Sequence, residues 1–339
     1  MKTVSGNANP VLVNTLRGDV IECQHRGAIA ICDPKGRVVK SRGNIDALVY
    51  PRSAIKPLQA LPLVETGAAD HFELTGDELA IACASHQSEI AHTDTVSHWL
   101  ERIGLDDEAL ECGAHAPAHV ETAEDLLLNR LKPRRVHNNC SGKHAAMLTA
   151  AHFLHEETEG YIDREHPVQQ RWLDAVGDMA GLEMRKLPWS YDGCGIPVIA
   201  MPLVATATAF ARFAVPDDLP QKRAMAAHRL AGAIAANPFM VAGSGCLCTD
   251  VMRLTGLRIL IKPGAEGFYT AALPEQGLGI ALKIDDGQHE AAEVALLTTL
   301  KHLGVLHADE FETLSTRCRI PVCNTLGVVT GYHQAASIW

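Results

Sequence analysis

The feature that most constrains the fold is the order of strand-like and helix-like segments along the chain. Residues 11–50 contain β-rich runs divided by a turn at Asp33-Pro34-Lys35-Gly36, a pattern typical of a strand meander. Helical periodicity dominates from about residue 77 to 240, and strand-like runs return after about residue 250. Strands at the two ends are most simply paired in one sheet, with the helical middle inserted between them.

This order predicts an α/β (α+β) fold with a largely antiparallel sheet built from the N- and C-terminal strands. We expect the first and last helices to cover the sheet. The predicted boundaries give one domain, residues 1–339, in which residues 1–76 and 245–339 form a sheet–helix subdomain and residues 77–244 a mainly helical one. Since binding sites often lie between such units, we expect the active site there.

Composition excludes several classes of protein. Of the 339 residues 47% are hydrophobic and 21% charged, with a formal net charge of −10. This acidic balance argues against a nucleic-acid or anionic-membrane partner. The N-terminal residues lack an apolar signal segment, and Pro197 and Pro202 interrupt the longest apolar run, residues 196–215. We therefore expect a cytoplasmic protein whose ten cysteines are reduced.

The first candidate for catalysis is the pair Ser53 and Lys56. The two residues are three positions apart where a helix is predicted to begin, so their side chains would share a face. A neutral lysine can take the proton of a serine hydroxyl, and Ser-x-x-Lys is used by serine β-lactamases and penicillin-binding proteins. A serine that caps the helix, followed by an exposed lysine, is the ordinary alternative.

A second Ser/Lys pair is available farther along the chain. Lys262 ends a strand-like run and enters a Gly-rich turn, as does the strand lysine of the same enzymes, and Ser85 could pair with it. Arg52, beside the first pair, could bind a carboxylate with its planar fork. Ordinary alternatives are a buried N-cap for Ser85 and surface positions for Lys262 and Arg52.

Two cysteines differ from the others because they lie in polar, Gly-rich segments. Cys140 occurs in NNCSGKH and Cys194 in YDGCGIP. Such thiols suit a metal, although their spacing matches no standard zinc pattern. A thiolate at a helix N-terminus and a tight glycine turn are the alternatives, and Asp192 could bind a substrate ammonium or cap that turn.

Together these segments resemble the Rhizobium etli-type L-asparaginases, the asparaginase II family with a serine β-lactamase/glutaminase-like fold. The resemblance covers nearly the whole chain. The matching stretches, in order, are HRGAIAICD, YPRSAIKPLQALPLVETGAAD, ELAIACASH, LECGAHAP, HNNCSGKHAAML, HPVQ, YDGCGIP, KPGAEGFY and GLGIALKIDDG.

The resemblance implies a homodimer that hydrolyses the side-chain amide of L-asparagine to L-aspartate and ammonia. It implies a zinc ion and no organic cofactor. The residues that it assigns are the catalytic pairs Ser53 with Lys56 and Ser85 with Lys262, the zinc ligands Cys140, Lys143 and Cys194, and the substrate contacts Arg52, Asp192, His144 and Cys248. The family's turn usually reads Asp-Gly-Cys-Ser, whereas this chain has Gly195 at the last position.

We therefore expect Ser53 to attack the amide carbon with Lys56 as general base, while Ser85 and Lys262 relay protons and stabilise the oxyanion. The order of the two serines could be reversed. A glutaminase or another β-lactamase-like acyl hydrolase is the alternative within enzymes. The alternative outside enzymes is a zinc- or amino-acid-binding protein in which the Ser/Lys pairs are structural.

Overall fold

The computed structural model describes residues 8–339. Within them the strands are β1 (Val11–Arg17), β2 (Val20–Cys32), β3 (Val38–Arg42), β4 (Leu48–Val49), β5 (Trp189–Tyr191), β6 (Pro197–Ile199), β7 (Met201–Pro202), β8 (Leu260–Gly264), β9 (Phe268–Leu273), β10 (Leu278–Ile284), β11 (Arg319–Cys323) and β12 (Val329–Ala335).

The α-helices of the same residues are α1 (Lys56–Gln59), α2 (Leu61–Glu65), α3 (Ala68–His71), α4 (Gly76–Ala82), α5 (Ile90–Arg102), α6 (Val120–Leu128), α7 (Ser141–Phe153), α8 (Pro167–Ala180), α9 (Leu203–Ala214), α10 (Gln221–Ala236), α11 (Pro238–Ala242), α12 (Leu247–Thr255), α13 (His289–His302), α14 (Ala308–Thr313) and α15 (Ser315–Cys318). Short 3-10 turns lie at Arg52–Ile55, Asp107–Ala109, Arg135–His137, Met184–Lys186 and Gly256–Arg258.

The main sheet joins the two ends of the chain, as predicted. Its strand order is β11-β12-β1-β2-β10-β9-β8, with β3 also paired to β2, and every pairing is antiparallel. The predicted turn between β2 and β3 is present, where the Gly36 amide donates to the Asp33 carbonyl over 3.0 Å. The mixed α/β architecture with an antiparallel sheet is therefore confirmed.

Alternating residues divide the sheet into two buried faces. On one face Ala30 pairs with Ala281, and on the other Ile31 pairs with Ile280. The alanine face packs on α9, and a Cβ built on Gly279 would lie 2.1 Å from the Ala207 carbonyl oxygen of that helix. Helix α13 contacts β1, β9, β10 and β12. Small residues thus let α9 approach the strands closely.

The identity of the covering helices corrects part of the prediction. The last long helix, α13, does lie on the sheet, but α9 from the middle of the chain packs on it where we expected the first helix. The segment after Ser53 instead folds as a 3-10 turn followed by α1 and α2, each with a proline in its first turn. Pro57 and Pro62 each lack the amide that a continuous helix requires, so the segment is broken into short pieces.

The middle of the chain supplies helices α4 to α11 and short strand pairs. The division into subdomains at residues 76/77 and 244/245 stays a prediction. The apolar run at residues 196–215 forms β6, β7 and α9. Within residues 8–339 the structure contains no helix that combines the length and the apolarity needed to span a bilayer.

Candidate active site

Ser85 lies between two buried lysines. Lys56 Nζ is 3.0 Å and Lys262 Nζ is 2.8 Å from Ser85 Oγ. The exposed fractions of the two lysines are 0% and 2%. A buried lysine needs partners for its donors, and a serine hydroxyl can bond both amines at once. The three side chains therefore form one hydrogen-bonded chain, Lys56–Ser85–Lys262.

The fold brings this chain together from three separate segments. Lys56 begins α1 and also donates to the carbonyls of Ala84 and Asn139, the latter over 3.4 Å. Lys262 lies on the edge strand β8 and donates to the Pro263 carbonyl over 3.0 Å. Ser85 follows α4, where its amide donates to the Val241 carbonyl over 3.0 Å. Backbone contacts thus fix all three members.

The environment of Lys262 favours its neutral form. Burial, followed by the positive charge of Lys56, lowers the pKa of Lys262 to about 7. A lysine with such a pKa exchanges its proton near neutral pH, which is what a general acid or base requires. The chain can therefore accept a proton from a reacting hydroxyl and return it.

Ser53 lies on the 3-10 turn that leads into Lys56. Its half-buried side chain makes no hydrogen bond to Lys56 among the residues that the structure describes, so the first predicted pair is adjacent but not joined. The turn packs closely on β8, and residue 264 has to be glycine for this contact. A Cβ on Gly264 would lie only 2.4 Å from the Pro51 carbonyl oxygen. Thr270 Oγ1 also donates to the Ala54 carbonyl over 3.1 Å. Ser53 is thereby held beside the strand that carries Lys262.

The residue before Ser53 forms an ion pair across the site. Arg52 Nε lies 2.5 Å from Asp192 Oδ1, with side-chain exposures of 29% and 10%. Arg52 has φ +51°, an unfavourable conformation for a residue other than glycine. Burial favours the neutral carboxyl, but Lys143 and Arg52 hold the pKa of Asp192 below its ordinary value. Opposite charges thus stand side by side and partly open to solvent.

Asp192 is held by the turn between β5 and β6. Its Oδ1 accepts the Gly193 amide over 2.7 Å, and its backbone carbonyl accepts the Gly195 amide over 2.9 Å. Gly195 has φ +90°, and a Cβ there would lie 3.3 Å from Ile162 Cδ1. The conformation is one that glycine adopts at no steric cost.

A cluster of two thiols and one amine lies at the start of α7. Lys143 Nζ donates to Cys194 Sγ over 3.0 Å, and Cys140 is the residue before the helix. The neighbouring Cys140 thiol and the Lys143 ammonium lower the pKa of Cys194 to about 5, whereas the neighbouring Cys194 and burial raise that of Cys140 to about 12. Near neutral pH Cys194 is therefore the thiolate and Cys140 the thiol, next to the Lys143 ammonium.

This cluster has the chemical character of a zinc site. Cys140, Lys143 and Cys194 converge from two segments, and thiolates are preferred zinc ligands. Lys143 donates to sulfur in this structure, so it would have to lose a proton before it could bind a metal. Across residues 8–339, no group of three or more His, Cys, Asp and Glu side chains has metal-binding geometry. With the amine counted, the donor set fits the ion.

The two remaining sequence candidates are buried. His144 lies on α7 with 0% exposure, and its Nδ1 is 2.6 Å from the Tyr161 hydroxyl. Cys248, on α12, is 1% exposed, and burial raises the pKa of its thiol. Helix α7 can approach α4 because residue 142 is glycine and has no Cβ. A Cβ there would lie 2.2 Å from the Ile81 carbonyl oxygen. That packing places the cluster next to the segment that carries Ser85.

Sequence reasoning missed two residues that contact the candidates. The Asn139 carbonyl accepts from Lys56 and its side chain lies 3.2 Å from Cys140 Sγ. Tyr161 contacts His144 from a polar loop. The repeated asparagine before Cys140 was a usable signal, because Asn side chains favour tight turns. Nothing in the pattern around Tyr161 marked it.

Comparison with known proteins adds a family and a set of similar structures. Residues 13–335 match the model of the L-asparaginase II family. No curated protein sequence gives a significant match. Mglu in its native form is 16% identical, with a TM-score of 0.46 over 84% of this chain and 66% of Mglu. A putative beta-lactamase from Bacteroides dorei is 14% identical, with a TM-score of 0.45 over 81% of this chain and 93% of that one.

A beta-lactamase from Mycobacterium bovis is 15% identical, with a TM-score of 0.39 over 86% of this chain and 95% of that one. The chain is thus shorter than Mglu and spans about two thirds of its length. The family match, in contrast, extends over almost all of the chain and includes every candidate site residue. The protein therefore belongs to the L-asparaginase II family.

Proposed function

We propose that the protein hydrolyses the side-chain amide of L-asparagine to L-aspartate and ammonia. The observation that carries this proposal is the Lys56–Ser85–Lys262 chain in a member of the L-asparaginase II family. An amide needs a nucleophile, a base that accepts its proton and an acid that protonates the departing nitrogen. Ser53, which lies beside the chain, is the proposed nucleophile.

The Arg52–Asp192 pair suits the backbone end of an amino acid. Arg52 would bind the α-carboxylate and Asp192 the α-ammonium, since each is a charge-assisted hydrogen bond. Binding would exchange the contact between Arg52 and Asp192 for two contacts with the substrate. The amide group would then point away from the pair, toward Ser53.

In the first step Ser53 Oγ would attack the amide carbon and give its proton to Lys56, while Lys56 passes a proton through Ser85 to the neutral Lys262. A proton would then return through Ser85 to the amide nitrogen, so ammonia leaves and an aspartyl ester remains on Ser53. The 2.8 and 3.0 Å contacts of Ser85 support this relay, because each is short enough for direct proton transfer. Lys262 would hold or supply a proton at the far end.

In the second step a water molecule would attack the ester while the same lysines take its proton, and a proton would return to Ser53 Oγ as the ester bond breaks and L-aspartate is released. Cys140, Lys143 and Cys194 would hold a zinc ion. When bound, zinc would supply a fixed positive charge and a rigid link between α7 and the Asp192 turn.

The homodimer and the cytoplasmic location expected from the resemblance and the sequence stay predictions.

The direct test is ammonia release from L-asparagine and, in parallel, from L-glutamine, with the zinc content measured. We expect turnover of asparagine at least about tenfold faster than that of glutamine, because the longer side chain moves the amide past Ser53. Faster release from glutamine would replace the proposal by a glutaminase. No release from either substrate by folded, zinc-loaded protein would reject both.

The assignment of the nucleophile needs a separate experiment. Ser53→Ala should abolish turnover, and Ser85→Ala should leave a slow enzyme that still forms an ester. Acid quenching during turnover, followed by peptide mass spectrometry, should locate the aspartyl group on the peptide that contains Ser53. An adduct on the Ser85 peptide would reverse the roles of the two serines.

A further inference from the structure

Tyr161 connects a backbone amide to an imidazole of the site. Its hydroxyl lies 3.0 Å from the Glu111 amide nitrogen and 2.6 Å from His144 Nδ1. Both Tyr161 and His144 have an exposed fraction of 0%. The rings meet edge to face, with centroids 5.5 Å apart. These contacts fix the position of the imidazole and also constrain its protons.

The donors and acceptors around Tyr161 determine where those protons lie. The Glu111 amide donates to the Tyr161 oxygen, and the phenol has one hydrogen of its own. If the phenol donates to Nδ1 of a neutral His144, the imidazole proton lies on Nε2. If Nδ1 donated instead, the phenol hydrogen would have no acceptor among the described residues. The first arrangement leaves fewer buried polar groups unpaired and is therefore favoured.

In this arrangement the Nε2–H of His144 is a buried donor without an acceptor. Nε2 has no hydrogen-bond partner within the described part of the chain. His144 lies in the first turn of α7, and the charges that act on it are those of Lys143, Cys140, Lys56 and Asp192. A buried donor left unpaired is costly, and an oxygen atom of a bound ligand would remove that cost.

We propose that Tyr161 is a positioning residue that holds His144 with its Nε2–H available to donate to an oxygen atom of the bound amino acid. This inference rests on the proposed function, because the ligand is an amino acid with a carboxylate or carboxamide oxygen. Tyr161 itself does not touch the substrate. Its hydroxyl disfavours the other tautomer of His144, in which Nε2 carries no proton and could not donate to the oxygen atom of the ligand.

The first test uses the unmodified chain. Protein labelled with ¹⁵N-histidine, with His144 assigned by its loss in His144→Asn, should show His144 neutral and protonated on Nε2 at pH 7.5. A resonance of the opposite tautomer, protonated on Nδ1, overturns the proposal without any variant at Tyr161. Addition of L-aspartate should shift the Nε2–H resonance.

The second test is a double-mutant cycle between Tyr161→Phe and His144→Asn. Alone, Tyr161→Phe should raise KM for L-asparagine about tenfold and change kcat less than about twofold, because the lost contact serves binding. In the His144→Asn background, Tyr161→Phe should change KM no further. The same tenfold effect in both backgrounds shows that Tyr161 acts on the fold in general and overturns the proposal.

The matched control is Tyr269→Phe, which removes another buried hydroxyl, 3.3 Å from Glu293 Oε1. It should leave KM unchanged. The binding of L-aspartate, measured by calorimetry, separates this inference from the proposed function. If the wild type binds L-aspartate but releases no ammonia, the proposed function fails. The tenfold loss of L-aspartate affinity in Tyr161→Phe then still decides the role of Tyr161.

Discussion

Lys262 and Lys143 are equally buried, at 2% exposure each, yet their environments favour opposite charge states. The pKa of Lys262 falls to about 7, whereas that of Lys143 rises above its ordinary value. Burial opposes the charged form of both. The difference must therefore come from the neighbours of each ammonium group.

The neighbours do differ in sign. Lys262 bonds a neutral hydroxyl and a carbonyl, with the positive charge of Lys56 beyond the hydroxyl. Lys143 donates to Cys194, whose thiol ionises readily, and the Asp192 carboxylate also acts on it. One fold thus maintains a lysine suited to proton transfer and, in the metal-free cluster, a lysine that stays positively charged. The two should respond differently to the same substitution.

The largest expected difference is in catalysis. Lys262→Met should lower kcat/KM at least about a thousandfold, because it removes a general acid–base group. Lys143→Met should lower it less than about a hundredfold, because Lys143 contacts the sulfur cluster and not Ser85. Steady-state ammonia release at pH 8 measures both. Lys283→Met, a half-buried lysine outside the site, is the control. Equal losses for the two site variants would break the comparison.

The second difference is in stability. In a chelating buffer at pH 6, Lys143→Met should lower the free energy of unfolding by about 3–5 kcal/mol, since it leaves a buried anion without its partner. Lys262→Met should raise it by a few kcal/mol, since a charge that is costly to bury is removed. Urea unfolding followed by circular dichroism measures both. Destabilisation by Lys262→Met at pH 6 would contradict the assigned charge.

The stabilising effect of Lys262→Met should also depend on pH. The pKa of Lys262 in the folded state, about 7, lies below the unfolded value of about 10.4. Between these values the unfolded chain binds more protons, so the stability of the wild type rises with pH. The advantage of the methionine variant should therefore shrink from pH 6 to pH 9. A constant advantage would indicate a packing effect.

Local patterns predicted most of the sheet but not its covering. The β-rich runs and the Asp33–Gly36 turn predicted the strand meander that contains β1, β2 and β3, and one antiparallel sheet formed from both ends is confirmed. The placement of α9 on that sheet was not predictable, because it depends on Gly279 meeting Ala207 from a distant segment. Tertiary contact of this kind leaves no local periodicity.

The site follows the same rule. The pairing of Ser85 with Lys262 was suggested by residue types alone, although 177 positions separate them. The bond from Lys56 to Ser85 was not expected, because the direction of Lys56 depends on the carbonyls of Ala84 and Asn139. Tyr161 was missed because its role depends on the neighbouring amide of Glu111. Spacing identifies candidates, whereas backbone groups from distant loops decide which candidates meet.

The smallest expected effect, and the one that sharpens the comparison most, is the pH dependence of catalysis. Lys262 transfers protons as a base only when neutral, so with its pKa of about 7 the value of kcat/KM should rise about tenfold from pH 6 to pH 8 and then level off. The residual activity of Lys262→Met should lack this inflection, whereas Lys143→Met should keep it. An inflection that persists in Lys262→Met would assign the titration to another group and contradict the role of Lys262 as a base.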